Sequence, residues 1–360
     1  LTVNDLTIGI GGASSTSDAR NSTAVGSNSL SSNTTGDFNT ATGKNSLNKN
    51  TSGSYNTASG HYSLNKNTIG SYNTASGHYS LNNNTEGMNN TAIGTFALTS
   101  NTLGGSNTAV GLNALSGNRE GFDNTAIGTR ALSLNYSGSS NTASGTQSLY
   151  ANTSGGYNTA SGVYSLYLNS SGSYNTSLGF SSLYYNTGNH NTAIGGWAGR
   201  YLTTGSNNTM IGYGADVKSN NLSNATALGN GAVVNASNTI QLGNSSIDSV
   251  VTAGKIKSGT IIYPNSHGTN GQILTTTGSG SLVWSSPTIK ETHYGIYTPL
   301  SSSLSGSIIY TEHGGHPFFP DNLPDGFQCT IIMHSLYTWE SNTLPAGSTT
   351  RFYSRITGWV

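Results

Sequence analysis

A single cysteine, Cys329, stands in a chain of 360 residues, so no disulfide can close within it and no thiolate pair can hold a zinc ion. That side chain reads as a small hydrophobe in a strand. Charge is scarce and balanced, with 13 Lys and Arg against 13 Asp and Glu. The basic residues are scattered (Lys44, Lys49, Lys66, Arg119, Arg130), which leaves no stripe to track a phosphate backbone and excludes nucleic acid as a partner. No apolar run approaches the roughly 20 residues of a membrane span, and the first residues lack a basic and apolar leader. Membrane insertion is therefore not expected. Hydrophobic residues reach only 33%, but low hydrophobicity produces disorder when charge is abundant, which it is not here. Proline is absent until Pro264 and then occurs at Pro287, Pro299, Pro317, Pro320, Pro324 and Pro345. A stack of hydrogen-bonded coils excludes proline whereas loops and strand edges admit it, so the chain changes character near residue 260.

Gly, Ser, Thr and Asn fill the space left by charge and apolar matter, and they do so periodically. A unit of the form N-T-A-x-G-x-x-[A/S]-L-x-x-N-T-x-G-x-x opens at Asn39, Asn56, Asn73, Asn90, Asn107, Asn124, Asn141, Asn158 and Asn175, each 17 residues after the last. It extends back to Ser22 and, more weakly, to Asp5, and forward with small slips to Asn191, Asn208, Asn224 and Asn238. A short fixed period implies stacked coils, each touching its neighbours. Each unit holds two turn signals, N-T-x-G and the x-x-N before the next N-T-A, because Gly and Asn tolerate φ > 0. The Gly, Asn, Ser and Thr content argues against helix. The expected fold is all-β: a parallel β-roll or β-solenoid of in-register coils, with Asn and Thr side chains laddered from coil to coil.

One Leu, one or two Ala and a variable residue per unit supply about 2 to 4 kcal/mol of apolar burial, well below the cost of ordering the backbone. The stripe Ala58, Leu64, Ala92, Leu98, Ala126, Leu132, Ala160 and Leu166 is accordingly expected to be buried against two further copies of the chain, as a homotrimer. Aromatic residues fall in columns: Phe38, Tyr55 and Tyr72, continued by Tyr157 and Tyr174, and a second column of Tyr150, Tyr167 and Tyr184. Such columns either stack on themselves or offer a surface for sugars, and self-stacking is the simpler reading.

Three parts are expected: a repeat shaft over 1–243, a neck with short strands over 244–287, and a small antiparallel β-rich tip over 288–360. The last part gathers varied aromatic side chains and strand-like runs such as GSIIYTE and FQCTIIMHSLYTW. The candidate contact residues there are Tyr294, Tyr297, His313, His316, Phe318, Phe319 and Trp339, turn-borne groups suited to stacking on sugars.

The units from Asn90 to Gly111 (NTAIGTFALTSNTLGGSNTAVG) resemble the repeats of bacteriophage tail fibres and of the β-roll heads of trimeric autotransporter adhesins. The opening VNDLTIGIGG, the stretch IQLGNSSIDSVVTAGKIKSG (Ile240 to Gly259) and the cassette GTNGQILTTTGSGSLVW (Gly268 to Trp284) resemble the modules that succeed one another in phage fibres. DGFQCTII (Asp325 to Ile332) resembles a strand of some fibre tips. The resemblance implies a homotrimeric, receptor-binding fibre on a virion, joined to the tail or baseplate at its N-terminal side and meeting a host-surface glycan or protein at its C-terminal side. Adhesins of the autotransporter type require a membrane anchor and a long coiled coil, and neither is seen; a bacterial cell-surface adhesin head is the alternative. The self-cleaving chaperone that ends many fibres is also not seen.

Other chemistries have thinner support. Glu312, His313, His316, Asp321 and His334 form the densest titratable cluster, but their spacing is too loose to define a metal site, and no cofactor is expected. Glycan hydrolysis would need paired carboxylates, for which Asp216, Glu291, Glu312, Asp321, Asp325 and Glu340 are dispersed candidates. No nucleophile elbow, P-loop or zincin motif occurs, so an enzyme is not expected. Ice binding would need two Thr columns on one flat face, whereas the second Thr (Thr51, Thr68, Thr85, Thr102) sits in a turn and gives way to Arg119, Tyr136 and Ser170.

Overall fold

The structure, a computed structural model, describes residues 21–286 except 255, 260, 265, 266 and 280, together with the backbones of strands Thr2–Val3, Leu6–Ile10, Glu291–Tyr294, Ile308–Thr311, Gln328–Met333 and Thr349–Ser354. It is all-β, with no helix among the described residues. The chain divides into two units, Leu1–Asp248 and Ser249–Val360. The first ends a few residues past the expected end of the shaft, and the expected neck and C-terminal part fall together in the second.

The first unit is a β-solenoid built on one 16-stranded sheet. Each coil contributes three residues of N-T-A-x to it, and Thr40, Thr57, Thr74 and Thr91 lie in register on successive strands. The central Ala points inward and its two neighbours outward, as strand alternation requires. From Thr23–Val25 to Ile240–Leu242 the parallel stack rises roughly 60 Å at the ordinary strand spacing.

Two turn signals per unit leave two arms between them, and both are expected to extend as strands of the β-roll. The structure forms one: the [A/S]-L arm runs through turns. Its Leu is the reason, since Leu47, Leu64, Leu81 and Leu98 adopt φ of 46°, 47°, 49° and 51°. A left-handed Leu costs about 1 to 2 kcal/mol, and here it turns the side chain into the interior, where every such Leu is fully buried. The Gly that follows the strand is required for a different reason. Gly94 has φ +128°, and a Cβ there would lie 2.6 Å from the carbonyl oxygen of Gly111 in the next coil.

Two buried Asn ladders run beside the Ala and Leu columns, one from Asn39 to Asn208 and the other from Asn33 to Asn169. In the first, Asn107 Nδ2 donates to Asn90 Oδ1 at 3.1 Å and to the Gly121 carbonyl at 2.8 Å. Its own Oδ1 accepts from the backbone N–H and the Nδ2 of Asn124 at 3.1 and 3.0 Å. In the second, Asn118 Nδ2 donates to Asn101 Oδ1 at 2.7 Å and to the Gly121 carbonyl at 3.1 Å. Every polar atom of such an amide is satisfied by the adjacent coil or its own turn, which is the condition for burying it without penalty.

These ladders correct the sequence reading of the apolar stripe. Ala58, Leu64, Ala92, Leu98, Ala126, Leu132, Ala160 and Leu166 are at most 1% exposed within one chain, enclosed by its own coils, and so they are not available to face two partner copies. The shortfall in apolar burial is met by hydrogen-bonded amides inside the same coil.

Departures from the repeat mark both ends. The residues from Asp5 were read as a weak first unit, yet Leu6–Ile10 pairs with Thr23–Val25 antiparallel, Ile8 opposite Val25. A reversed strand closes the edge of the stack, the role of an atypical terminal repeat. One residue is missing between Thr187 and Gly188, so the coil from Asn175 to Asn191 has 16 residues. There Asn186 Nδ2 bonds the Gly188 carbonyl two residues on, Asn186 Oδ1 turns to Asn191, and Asn169 Oδ1 is left buried without a partner. In the last coils the left-handed Leu disappears, and a second short pair of strands, Asp216–Val217 with Val233–Val234, forms in parallel.

The second unit contains two small antiparallel hairpins, Lys257–Ser258 with Ile261–Ile262 and Ile273–Thr276 with Leu282–Ser285. Beyond residue 288 the expected antiparallel arrangement is replaced by a parallel one: Glu291–Tyr294, Ile308–Thr311, Gln328–Met333 and Thr349–Ser354 pair in chain order, all parallel. The segments between them, 295–307, 312–327 and 334–348, are long enough for crossovers, and parallel pairing requires that length. Cys329 lies in the third of these strands.

Candidate functional site

Of the sequence-predicted contact residues, Tyr294 occupies the last position of strand Glu291–Tyr294. Tyr297, His313, His316, Phe318, Phe319 and Trp339 lie outside the described residues, as do Glu312, Asp321 and His334. Among the described residues no group of three or more His, Cys, Asp or Glu could hold a metal ion, and no helix is long and apolar enough to cross a membrane.

The outward sheet face bears two columns. One is the Thr of N-T-A; the other is mixed, with Thr42, Ser59, Ser76, Ile93, Val110 and Ile127 on successive strands. The turn threonines Thr51, Thr68 and Thr85 donate their hydroxyls to the backbone carbonyls of the following coil at 2.9 to 3.1 Å. A two-column threonine array is therefore not formed on that face.

The aromatic columns are real. Phe38, Tyr55 and Tyr72 stack with centroids 5.0 and 4.9 Å apart, and Tyr157, Tyr174 and His190 at 4.8 and 4.9 Å. Parallel rings at coil spacing cover one another's faces, so the inner rings offer only edges to solvent, which favours self-stacking.

The second column leads somewhere else. Tyr150, Tyr167 and Tyr184 stack at 5.2 and 5.0 Å, and the Arg200 guanidinium lies 6.0 Å from the Tyr184 ring centre at the column's end. Beside it Tyr164, Phe180, Trp197 and Tyr213 meet edge-on or tilted rather than stacked. Beside Trp197 and Arg200 a cavity of about 320 Å³ opens, lined also by Tyr201, Gly214, Asp216, Val217 and Val233.

The coil deviates locally to build this cavity. Asp216 occupies the place that Leu holds in earlier coils, and Gly199 (φ +61°) replaces Leu one coil before. Met210, standing where other strands carry Ala, fills the room that Leu would have taken: a Cβ on Gly199 would lie 2.5 Å from its Cε. Leu202, at a position that earlier coils give to the second Asn ladder, is fully buried. The interior is thus repacked, and the cavity is not a packing defect.

Asp216 is only 6% exposed. Burial pushes its carboxyl up to about 6, against the lowering influence of backbone N–H groups of Val217, Tyr201 and Arg200 and of the Arg200 charge. Val217 N–H donates to Oδ1 at 2.8 Å and Tyr201 N–H to Oδ2 at 3.1 Å. With three backbone donors on it, the carboxylate retains one free lone pair. Arg200 Nε is buried without a partner.

Sequence reasoning noted Asp216 only as a dispersed carboxylate and did not single out Trp197, Arg200 or Tyr201. The available signal was the break in pattern, Gly and Asp at positions otherwise occupied by Leu. No protein-family model matches this chain, and no curated protein matches it.

Proposed function

We propose that this chain is a structural and receptor-binding fibre protein of a bacteriophage, carried on the virion, acting by binding rather than by catalysis and assembling as a homotrimer. The observation that carries the reading is the stack of in-register coils, most of them held by two buried amide ladders, which makes a stiff spacer of roughly 60 Å from a sequence with little apolar matter. The modules around it are those that resemble phage fibres. Self-association is supported by the outward sheet face, where Ile93, Ile127, Leu178, Ile194 and Leu228 are 37 to 48% exposed. The segment from residue 288, with its concentration of aromatic residues, is assigned to the host-surface contact and the N-terminal side to the tail or baseplate.

Adsorption of the purified full chain to bacterial cells tests this reading, together with sedimentation. Saturable adsorption by a species of three chains is expected, weakened when Tyr297, Phe318, Phe319 and Trp339 are replaced by Ala. A folded monomer that adsorbs to no cell would refute it.

A further inference from the structure

The binding reading above leaves the second aromatic column and its cavity without a role. Resting on that reading, we infer that the cavity bounded by Trp197, Arg200, Tyr201 and Asp216 is a saccharide site that takes one uncharged pyranose ring of a surface glycan.

Three observations converge on it. The first is a destabilising residue in a place where the repeat supplies a stabilising one: a buried carboxylate replaces the core Leu, while one coil earlier Met210 fills the space over Gly199. Groups retained against stability mark sites of function. The second is an unused donor, Arg200 Nε, which is buried without a partner although nearly all buried polar groups have one. The third is shape: about 320 Å³ is at the small end of ligand cavities and suits a single ring.

The chemistry of the lining selects the ligand. A simple anion would meet the Asp216 carboxylate and a simple cation the Arg200 guanidinium, so neither alone fits both. A neutral polyol does: Arg200 donates to hydroxyl oxygens, and Asp216 accepts a hydroxyl hydrogen through its remaining lone pair. The apolar C–H face of a pyranose then packs on Trp197, whose ring is not stacked face to face by its aromatic neighbours, meeting Phe180 at 67° and Tyr213 at 54°.

The test is saturation-transfer NMR on the full chain with methyl pyranosides of glucose, galactose, mannose, rhamnose and N-acetylglucosamine, with free phenylalanine as a zwitterionic control. Saturable binding of at least one pyranoside is expected. Trp197→Ala and Asp216→Leu should each weaken it about tenfold or more, the loss of one stacking or charge-assisted contact. Trp197→Ala, at a side chain 37% exposed, is the variant that decides the test should Asp216→Leu fail to fold, as read from its unfolding midpoint. Binding of no pyranoside, preference for phenylalanine, or pyranoside binding unchanged in both variants would overturn the assignment. Cell adsorption measured alongside separates the two ideas: a chain that adsorbs to cells but binds no pyranoside refutes the cavity alone, whereas pyranoside binding without adsorption to any cell refutes the fibre reading alone.

Discussion

Asn124→Ala removes one rung of the first amide ladder, and its consequence follows from four hydrogen bonds. Asn124 Nδ2 donates to Asn107 Oδ1 at 3.0 Å and to the Gly138 carbonyl at 2.9 Å, and Asn124 Oδ1 accepts from Asn141 N–H at 3.0 Å and Asn141 Nδ2 at 3.1 Å. Three of the affected groups keep another partner: the Gly138 carbonyl still receives Asn135 Nδ2, Asn107 Oδ1 still receives the backbone N–H of residue 124, and Asn141 Nδ2 still reaches the Gly155 carbonyl. The backbone N–H of Asn141 has no substitute and is left buried. Four bonds at about 1 kcal/mol each, with one orphaned donor, give a destabilisation of about 3 to 5 kcal/mol. Coils contact mainly their neighbours, so the loss should be local rather than global. Native-state hydrogen exchange reads this directly: the amide of Asn141 and its neighbours in the coils opening at Asn124 and Asn141 should lose protection, while the coil at Asn56 keeps its own. A change below about 1 kcal/mol, or one spread evenly over all coils, would refute the idea that amide ladders hold the interior.

Other perturbations probe separate parts of the argument. Gly94→Ala places a Cβ 2.6 Å from a backbone oxygen at φ +128° and should destabilise by about 3 kcal/mol or more in urea unfolding. Gly214→Ala, at φ +62° with nothing within 4 Å of the added atom, should cost only about 1 kcal/mol. Inserting Ser after Thr187 restores the 17-residue coil and gives Asn169 Oδ1 a donor; exchange protection around Asn169 should rise by about 1 to 2 kcal/mol. The carboxyl of Asp216 titrates at about 6 in the folded chain against 3.8 for the free group, so the folded state holds its proton more tightly. Stability from this group is present below pH 4 and is lost as pH rises through 6, amounting to about 3 kcal/mol. The gain in unfolding free energy of Asp216→Leu over the parent should therefore be larger at pH 8 than at pH 4, and an equal gain at both would refute the assignment.

The period, the single parallel stack and the laddering of Asn were legible because each coil repeats the same residues at the same offset. Two features were not. Leu rarely takes φ > 0, so nothing in its identity announced that Leu64 or Leu98 would turn rather than extend, and the second arm was read as a strand. The amides of Asn50 and Asn56 were read chiefly as turn formers, although both are fully buried; undercounting them made the interior look too poor for one chain and led to the trimer-buried stripe. Parallel pairing beyond residue 288 was missed because strand runs show their hydrophobicity and not their direction. The cavity was written only as exceptions to the repeat, at Gly199, Met210 and Asp216, and such exceptions carry meaning once the rule they break has a known place in space.

Each ladder amide donates toward the N-terminal side and accepts from the C-terminal side, so the column has a polarity and two unlike ends. Ser22 closes one by accepting the Asn39 N–H through its hydroxyl, and Ala225 closes the other by donating its N–H to Asn208 Oδ1 while bringing no amide of its own. From Asn56 to Asn175 the rungs are interchangeable. Gene duplications or deletions in whole multiples of the coil would lengthen or shorten the molecule like links in a chain, without disturbing either terminus, whereas a change of any other size leaves a broken link of the kind found at Asn169.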